Sequence, residues 1–473
     1  MNDKTIKFFK EISKIPRESG NEKQISEYIC NFAKERNLEY IRDKYNNVII
    51  RKSTSKNQPI ILQAHLDMVC EKSEGLDFNF ETDSLEIYEE NGYLKAKGTT
   101  LGADNGIGVA QILNILDSDL DINIEAIFTV SEETTMIGAE NIDVSMLKGK
   151  KMINLDGFDE HTIITESASF FDIIINMNYT NYQTENGYKY RISLNGLEGG
   201  HSGFDIDKDK GNSIKELAEF LEQISNIRIS NFIGGTKFNV IPSKAVCVFS
   251  TNIQFEKMQE IIKDFYKKKK MKYSGIKITI ENINTTCKTL SEEDSKKILN
   301  SIMQFKHGVF FKNNNSQVTT SANLAVFDLE NNIIKIGVRS SKKEEENIIL
   351  DYLKEYAKQN NYEFTIQSSQ PGFETSENSM LIKNIVNSYK QVIKTDDLIL
   401  KPVHITVECG FFKEKIKDLD VAIISPNIIG AHTIEERVSI ESIIECDKWL
   451  YQICKNSEKE DVNRTEILIH KIN

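Results

Sequence analysis

Short apolar runs that lead into polar residues recur along the first third of the chain. Residues 60–62, 122–130 and 151–155 are mostly apolar, and histidine or acidic residues follow each run within a few positions. Runs of this kind are typical of strands that a parallel sheet buries on both faces. Residues 5–15 and 22–36 instead repeat apolar side chains at the spacing of an amphipathic helix. The pattern predicts alternating strands and helices around an open sheet, which is an α/β arrangement.

The pattern changes beyond about residue 184 and changes back near Gln370-Pro371-Gly372. Between these points the predicted elements follow the order of a β-α-β-β-α-β unit, and a second such unit follows the first. Strands and helices of the earlier kind then resume and end with a helix over residues 439–454. We therefore predict one domain formed by residues 1–184 and 373–473. An inserted α+β domain, residues 185–372, would interrupt it with two βαββαβ-like halves.

The composition is that of a globular protein, with 39% hydrophobic and 27% charged residues in a chain of 473, a length that favours two domains. The net charge of −12 leaves no basic surplus for phosphates, which argues against nucleic acid as a partner. No apolar run approaches the roughly 20 residues that a membrane span requires, so we expect no membrane partner. The seven cysteines form no CxxC pair, which predicts reduced cysteines and a cytoplasmic location.

Polar residues with metal-binding chemistry follow the ends of the predicted strands. His65 and Asp67 follow the first apolar run, the pair Glu132-Glu133 follows the second, and Asp156 follows the third. Taken singly, each has an ordinary alternative, such as a buried histidine with a hydrogen-bond partner or a solvated loop. Because ligand sites form at the carboxyl edge of open α/β sheets, the residues together favour one site at that edge. A histidine that a carboxylate orients is a typical metal ligand.

A glycine-rich segment, residues 98–110, leads into a predicted helix over residues 106–116. The segment contains neither GxxxxGK[ST] nor GxGxxG, so it does not predict phosphate binding. We expect a tight turn that presents Asp104 just before the helix. The alternative is that Asp104 only caps the helix, as aspartate often does.

These segments and others further along resemble those of the aminoacyl-histidine (Xaa-His) dipeptidases, which are dinuclear zinc exopeptidases related to carboxypeptidase G and bacterial dipeptidases. The matching segments occur in family order over nearly the whole chain: residues 63–72, 98–110, 131–133, 154–156, 199–203, 235–242, 408–410 and His432. No single segment is specific, but their combination is. The resemblance implies a mixed-sheet zinc-exopeptidase catalytic domain with the inserted domain as its lid.

The resemblance also implies a set of metal ligands. Asp104 would bridge two divalent metal ions. His65 and Asp156 would complete one ion's site, and Glu133 and His432 the other's. Nitrogen and oxygen donors of this kind suit Zn²⁺, which we expect, although Co²⁺ or Mn²⁺ could take its place.

Three further residues receive catalytic roles from the resemblance. Glu132, next to a ligand but not itself a ligand, would be the general base. Asp67 would orient His65. His201, in the Gly-Gly-His-Ser-Gly segment of the inserted domain, would stabilise the oxyanion. Without the resemblance, that segment would be interpreted as a turn.

Three residues are candidate substrate contacts. Asn239 is a polar residue in the matching segment 235–242. Arg339 ends a predicted strand and could hold the substrate carboxylate through two hydrogen bonds, although a surface arginine is an equal alternative. His404 could line the substrate pocket.

The expected function is that of a metal-dependent dipeptidase which hydrolyses the peptide bond of unblocked dipeptides, of the Xaa-His type or more broadly. An N-acyl-amino-acid amidohydrolase with the same metal ligands is the first alternative, and a non-catalytic peptide-binding relative is the second. An intact Glu132 argues against the second, since a binding protein does not need a general base. We expect a monomer or a homodimer formed through the lid domain.

Overall fold

The computed structural model describes residues 4–54, 58–184, 187–283, 287–376, 378–393 and 395–457. Contacts divide these residues into two compact units. Unit 1 consists of the described residues of Met1–Ser167, Phe373–Val403 and Val407–Asn473. Unit 2 consists of those of Ala168–Gly372 and His404–Thr406.

The helices of the described residues are numbered in chain order. They are α1 (Lys4–Ile12), α2 (Lys23–Glu35), α3 (Ala103–Leu116), α4 (Ile137–Asn141), α5 (Ser213–Leu221), α6 (Phe255–Lys270), α7 (Glu292–Gln304), α8 (Lys343–Gln359), α9 (Met380–Val392), α10 (Cys409–Lys415) and α11 (Ile440–Ser457). None of these helices is long and apolar enough to cross a bilayer.

The strands of the same residues are numbered likewise. They are β1 (Glu39–Arg42), β2 (Val48–Lys52), β3 (Ile60–His65), β4 (Ile87–Glu90), β5 (Tyr93–Ala96), β6 (Ile124–Thr129), β7 (Lys151–Asn154), β8 (Thr162–Ser167), β9 (Ser169–Asn176), β10 (Gln183–Thr184), β11 (Tyr188–Asn195), β12 (Gly200–His201), β13 (Arg228–Gly235), β14 (Val240–Ile241), β15 (Ala245–Thr251), β16 (Lys277–Asn282), β17 (Lys288–Thr289), β18 (Gly308–Lys312), β19 (Val318–Asp328), β20 (Ile333–Ser340), β21 (Glu363–Gln370), β22 (Ile399–Val403), β23 (Asp420–Ile423), β24 (Ile428–Ile429) and β25 (Arg437–Ser439).

The main sheet of unit 1 has the strand order β1-β2-β6-β3-β7-β23-β8-β22. Its centre is parallel, because β3 pairs in parallel with both β6 and β7, and β7 pairs in parallel with β23. Every residue of β3 and β6 is buried, as their apolar sequences predict. The parallel pairing brings the carboxyl ends of β3, β6 and β7 to one edge of the sheet.

Amphipathic helices cover this sheet. Phe9 of α1, Ile29 of α2 and Ile107 of α3 are fully buried in one core with Leu62 of β3, and Trp449 of α11 joins them. Burying a side chain of this size stabilises the fold by roughly 1.5–3 kcal/mol. The strand ends are therefore held on a rigid support.

A smaller sheet of unit 1 has the order β24-β25-β5-β4. Its β4–β5 hairpin turns at Asn91-Gly92, where both residues have positive φ, 50° and 79°. This is the turn that an Asn-Gly pair predicts. Strand β25 pairs with β5 and with β24, so the hairpin supports the loop, residues 430–436, that joins the last two strands.

Unit 2 contains a sheet with the order β16-β11-β15-β13-β19-β20-β9-β21. The first four strands and helices α5 and α6 form one β-α-β-β-α-β half, and the last four with α7 and α8 form another. Each half has its strands in the sheet order 4-1-3-2, and β13 and β19 join the halves. The mixed α/β fold with these two halves agrees with the predicted fold class.

The first strand of the second half lies earlier in the chain than the sequence pattern indicated. It is β9, which pairs along its length with β20 and β21. The first half is thus inserted into the second, after its first strand. For this reason unit 2 begins at Ala168, whereas the sequence analysis began the insertion at residue 185. Residues 404–406 also belong to unit 2.

Candidate metal centre

Candidate ligands follow three neighbouring strand ends of unit 1. His65 is the last residue of β3, Glu132 and Glu133 follow β6, and Asp156 follows β7. In register, His65 lies opposite Thr129, the last residue of β6. Parallel pairing therefore gathers these side chains, as the sequence pattern predicted.

Asp104 connects the group through both of its carboxylate oxygens. Its backbone, with that of Asn105, departs from helical geometry, so α3 is regular only from Gly106. Oδ1 lies 3.3 Å from His65 Nε2, and Oδ2 lies 2.9 Å from His432 Nε2. A carboxylate whose two oxygens face two different imidazoles has the arrangement of a bridging ligand.

Two groups of potential ligand atoms share this carboxylate. One contains His65, Asp104 and Asp156, and the other Asp104, Glu133 and His432; the ligand atoms of each group lie within 4.8 Å of one another. His65 Nε2 is 3.7 Å from Asp156 Oδ1, and His432 Nε2 is 3.0 Å from Glu133 Oε1. Glu132 also falls in such a group, with His65 and Glu133.

Asp67 fixes both the histidine and the glutamate pair. It is fully buried, and its Oδ1 lies 3.4 Å from His65 Nδ1. The same carboxylate accepts the backbone N–H groups of Glu132 at 3.0 Å and Glu133 at 3.1 Å, and the Ser19 hydroxyl at 2.7 Å. One side chain therefore holds two strand ends in register and leaves His65 Nε2 directed toward Asp104.

The electrostatics of the centre favour cations. Burial raises the pKa of Glu132 and Asp156, and that of Glu133 to about 7, because neighbouring carboxylates reinforce the desolvation. Burial alone would lower the pKa of His65 and His432, but the surrounding carboxylates outweigh it and raise both. The carboxylates outnumber the imidazoles, so the two histidines cannot neutralise all of the negative charge. Imidazole nitrogens and carboxylate oxygens in this proportion fit divalent ions such as Zn²⁺.

Unit 2 contains a separate polar cluster around Arg339, which ends β20 next to Ser340 and is 4% exposed. Its Nη1 donates to Thr406 Oγ1 at 3.1 Å, its Nε to Ser202 Oγ at 3.4 Å, and the guanidinium stacks on Phe170. Burial lowers the pKa of Arg339 to about 10. Among the described residues, no carboxylate forms an ion pair with it.

His201 and His404 lie in the same cluster. The Gly203 N–H donates to His201 Nδ1 at 3.2 Å, which leaves the ring proton on Nε2. That nitrogen lies 3.5 Å from Arg339 Nη2, so the imidazole and the guanidinium are neighbours. Burial lowers the pKa of His404 to about 3, assisted by the neighbouring Arg339 and His201. The His404 Nε2 contacts Ser321 Oγ at 2.8 Å, whereas its Nδ1 is buried without a hydrogen bond.

Asn239 lies beside His201 through the short β12–β14 ladder, in which His201 pairs with Val240. The Asn239 carbonyl accepts the Ser202 N–H at 2.8 Å. The structure thus brings the predicted residues of unit 2 into one cluster and those of unit 1 into another.

Residues 61–456 match the sequence pattern of peptidase family M20/M25/M40. The chain belongs to this family. The cytosol non-specific dipeptidase of Escherichia coli (strain K12) is 30% identical to this M20 chain over 459 residues, which are 92% of this chain and 93% of the relative.

Solved structures of the family are similar as well. The aminoacylhistidine dipeptidase from Vibrio alginolyticus superposes with a TM-score of 0.81 at 27% identity, covering 95% of this chain and 96% of that one. A tripeptidase from Staphylococcus aureus has a TM-score of 0.57 at 15% identity, covering 97% and 98% of the two chains, a likeness of fold alone.

A buried network next to the candidate ligands of this M20 chain was not predicted from the sequence. Glu408 Oε2 accepts from Gln63 Nε2 at 2.7 Å and from Thr129 Oγ1 at 2.6 Å. Gln63 in turn accepts from Asn154, whose Oδ1 accepts the Asp156 N–H at 3.0 Å. Burial raises the pKa of Glu408 to about 8. The Glu-Cys-Gly segment, residues 408–410, was among the matching motifs, but nothing in it indicated these partners.

Proposed function

We propose that this chain is a metal-dependent dipeptidase that hydrolyses the single peptide bond of unblocked dipeptides. Its family is one of peptidases, and two of the relatives described above, the one at 30% identity and the one with a TM-score of 0.81, are named as dipeptidases. The observation that carries the proposal is the Asp104 carboxylate, shared between two groups of imidazole and carboxylate donors. A pair of cations needs such a shared ligand, whereas a purely structural ion does not.

In this proposal His65, Asp104 and Asp156 hold one divalent ion, and Asp104, Glu133 and His432 hold a second, with Zn²⁺ as the preferred metal. When bound, two such ions lower the pKa of a water toward 7 and polarise the substrate carbonyl. Asp67 keeps His65 in the orientation that presents Nε2. The carboxylates remain ionised because the cations replace the missing positive charge.

Glu132 is the general base in the proposed mechanism. It stands next to a ligand, and the hydrogen bond from its own N–H to Asp67 fixes its backbone. Its carboxylate takes a proton from water as the carbonyl is attacked and later passes it to the leaving amine. Burial raises its pKa, which makes it a stronger base than an exposed glutamate.

The unit 2 cluster would bind the substrate's anionic groups. Arg339 is the proposed partner of the C-terminal carboxylate, supported by its burial without an ion pair among the described residues. The His201 imidazole is the proposed donor to the oxyanion, and its Nε2 lies 3.5 Å from Arg339 Nη2, which places the two groups side by side. Asn239 and His404 would add polar contacts beside them.

A substrate panel tests the proposal against an N-acyl-amino-acid amidohydrolase with the same ligands. The purified protein, loaded with Zn²⁺, is assayed with Ala-His, β-Ala-His and N-acetyl-histidine. We expect turnover of the dipeptides and little of the acetylated compound. Equal or faster turnover of N-acetyl-histidine would contradict the dipeptidase, and no turnover of any compound would favour a peptide-binding protein.

We further propose a cytosolic location, because the Escherichia coli relative is named a cytosol dipeptidase. The oligomeric state is proposed to be a monomer or a homodimer formed through unit 2. Analytical ultracentrifugation of the full chain and of a variant altered on the unit 2 sheet distinguishes the two.

A further inference from the structure

Glu436 is a buried carboxylate with an unusual set of partners. It is 3% exposed, and its Oε2 accepts the backbone N–H groups of Leu101 and Gly102 at 2.8 and 2.9 Å. Its Oε1 accepts those of Ala103 and Asp104 at 2.8 and 3.2 Å. One side chain thus satisfies four successive N–H groups, and the last belongs to the shared carboxylate residue.

Arg17 holds the other side of the same turn. Its Nη1 donates to the carbonyl oxygens of Leu66 and Asp67, both at 3.1 Å, and its Nη2 donates to the Gly102 carbonyl. A Cβ at Gly102, where φ is +64°, would collide with this guanidinium. The turn therefore accepts only glycine there, and Arg17 ties it to the segment that follows β3.

Burying two charges beside the first turn of α3 costs desolvation free energy. A serine or threonine caps an α-helix with much less desolvation, so helix capping alone does not explain a glutamate with four bonds. The partners of Glu436 and Arg17 are instead backbone groups of the two segments that lead up to and include Asp67 and Asp104. Both side chains act on the position of these two carboxylates.

We propose that Glu436 and Arg17 are positioning residues that hold the Asp104 carboxylate where it is shared between two ions, an inference that rests on the proposed function. Glu436 lies four residues after His432, in the loop of residues 430–436. One loop therefore fixes the position of His432 and also that of the Asp104 backbone. The side chains of these two residues are 2.9 Å apart. His65, by contrast, is fixed independently by β3 and Asp67.

This difference predicts which ion depends on Glu436. The ion at Asp104, Glu133 and His432 should lose affinity in Glu436→Gln, because the amide presents an N–H pair to backbone donors. The ion at His65, Asp104 and Asp156 shares the Asp104 carboxylate but has no ligand in the loop of residues 430–436, so it should be weakened less. Losses of about 10–100-fold in metal affinity are typical when a residue that orients ligands is removed.

The experiment titrates metal-free full-length protein with Zn²⁺ by calorimetry and with Co²⁺ by visible absorption, using a competing chelator. We expect two ions in the wild type, and a larger loss of affinity for one ion than for the other in Glu436→Gln. Arg17→Lys keeps the charge but not the forked hydrogen bonds to Leu66, Asp67 and Gly102, so it should weaken both ions. If Glu436→Gln does not fold, Glu436→Asp provides the same comparison with a shorter carboxylate.

Glu125 provides a matched control. It is 2% exposed in the same unit and also accepts backbone N–H groups, from Lys148 and Gly149, but it contacts none of the candidate ligands. Glu125→Gln should lower the melting temperature and leave both affinities unchanged. The inference is overturned if Glu436→Gln binds both ions as the wild type does, or if Glu125→Gln loses affinity equally. A wild type that binds fewer than two ions would instead overturn the proposed function.

Discussion

The two polar clusters bury charges of opposite sign. The centre in unit 1 contains the carboxylates of Asp67, Asp104, Glu132, Glu133 and Asp156 with two imidazoles. The cluster in unit 2 contains a buried guanidinium and two imidazoles. Burial opposes ionisation in both, but the neighbours decide the outcome. Carboxylates raise the pKa of His65, whereas burial and the neighbouring guanidinium lower that of His404 to about 3.

This contrast indicates what each cluster lacks. Cations stabilise a buried excess of carboxylates, and an anion would stabilise the Arg339 guanidinium, whose charge Asp172 only partly favours and which forms no ion pair among the described residues. The dipeptide of the proposed function carries a carbonyl that cations polarise and a carboxylate that a guanidinium binds. The contrast can be tested by changing one charge or one donor at a time.

The largest effect is expected at Glu132. In Glu132→Gln the amide cannot accept a proton, so kcat should fall by about 10²–10⁴-fold, the usual contribution of a general base. The amide fills the same space, so the metal content measured by elemental analysis should stay at two ions per chain.

The adjacent Glu133→Gln is the matched comparison, because it removes one of the proposed ligand oxygens from the same turn. It should lower the metal content as well as the rate. Loss of metal in Glu132→Gln would mean that Glu132 is a ligand and that the roles of the pair must be exchanged.

The next effect is expected in unit 2, at His201. Removing one donor to an oxyanion reduces kcat by about 10²–10³-fold, and His201→Ala should show this loss with little change in KM. His201→Gln retains an N–H donor and should recover part of the rate. An unchanged kcat in His201→Ala would remove this residue from the mechanism.

The local pattern of apolar strands followed by polar residues predicted a site at one edge of the unit 1 sheet, whereas the ligand set with Asp104 and His432 came from the family resemblance. The buried runs of β3, β6 and β7 are evident in the sequence, and parallel pairing then brings His65, Glu133 and Asp156 to one edge. Arg17 and Glu436 left no such pattern. Each is a charged residue whose partners are backbone groups more than 45 positions away, so only the folded chain brings them together.

The order of strands in unit 2 likewise could not be predicted from a local sequence pattern. Strand β9 has an apolar alternation like that of any half-buried strand, and nothing in it indicates pairing with β20 and β21. The α/β class and the two halves depend on element order and were predicted. Which half a strand joins depends on contacts between distant segments and was not.

A smaller effect is expected for Arg339. A hydrogen-bonded charge pair contributes about 1.5–3 kcal/mol, so Arg339→Met should raise KM for a dipeptide by about 10–100-fold. A dipeptide with a C-terminal carboxamide tests the partner directly. It should be a poor substrate of both proteins, with little difference between them. A wild type that hydrolyses the carboxamide as well as the free acid would exclude Arg339 as the carboxylate site.

The smallest effect concerns the charge of His404. Because its folded pKa of about 3 lies below the usual value, the unfolded chain takes up a proton below pH 6.5 that the folded chain does not. Stability is therefore present above that pH and is lost as the pH falls. Between pH 7 and pH 5 this loss is about 2 kcal/mol. His404→Gln, which keeps a donor toward Ser321, should remove it in urea unfolding of the metal-free protein.

Proton NMR checks the same charge without unfolding. The resonance that disappears in His404→Gln should not titrate between pH 5 and pH 8 in the wild type. In Arg339→Met its pKa should rise, because a positive neighbour is gone, yet stay below 6.5, because burial is the larger cause. A His404 that titrates near pH 6.5 would mean that water reaches this cluster freely. Water would then solvate the positive charge of unit 2, and no bound anion would be needed to stabilise it. The contrast between the two clusters would be lost.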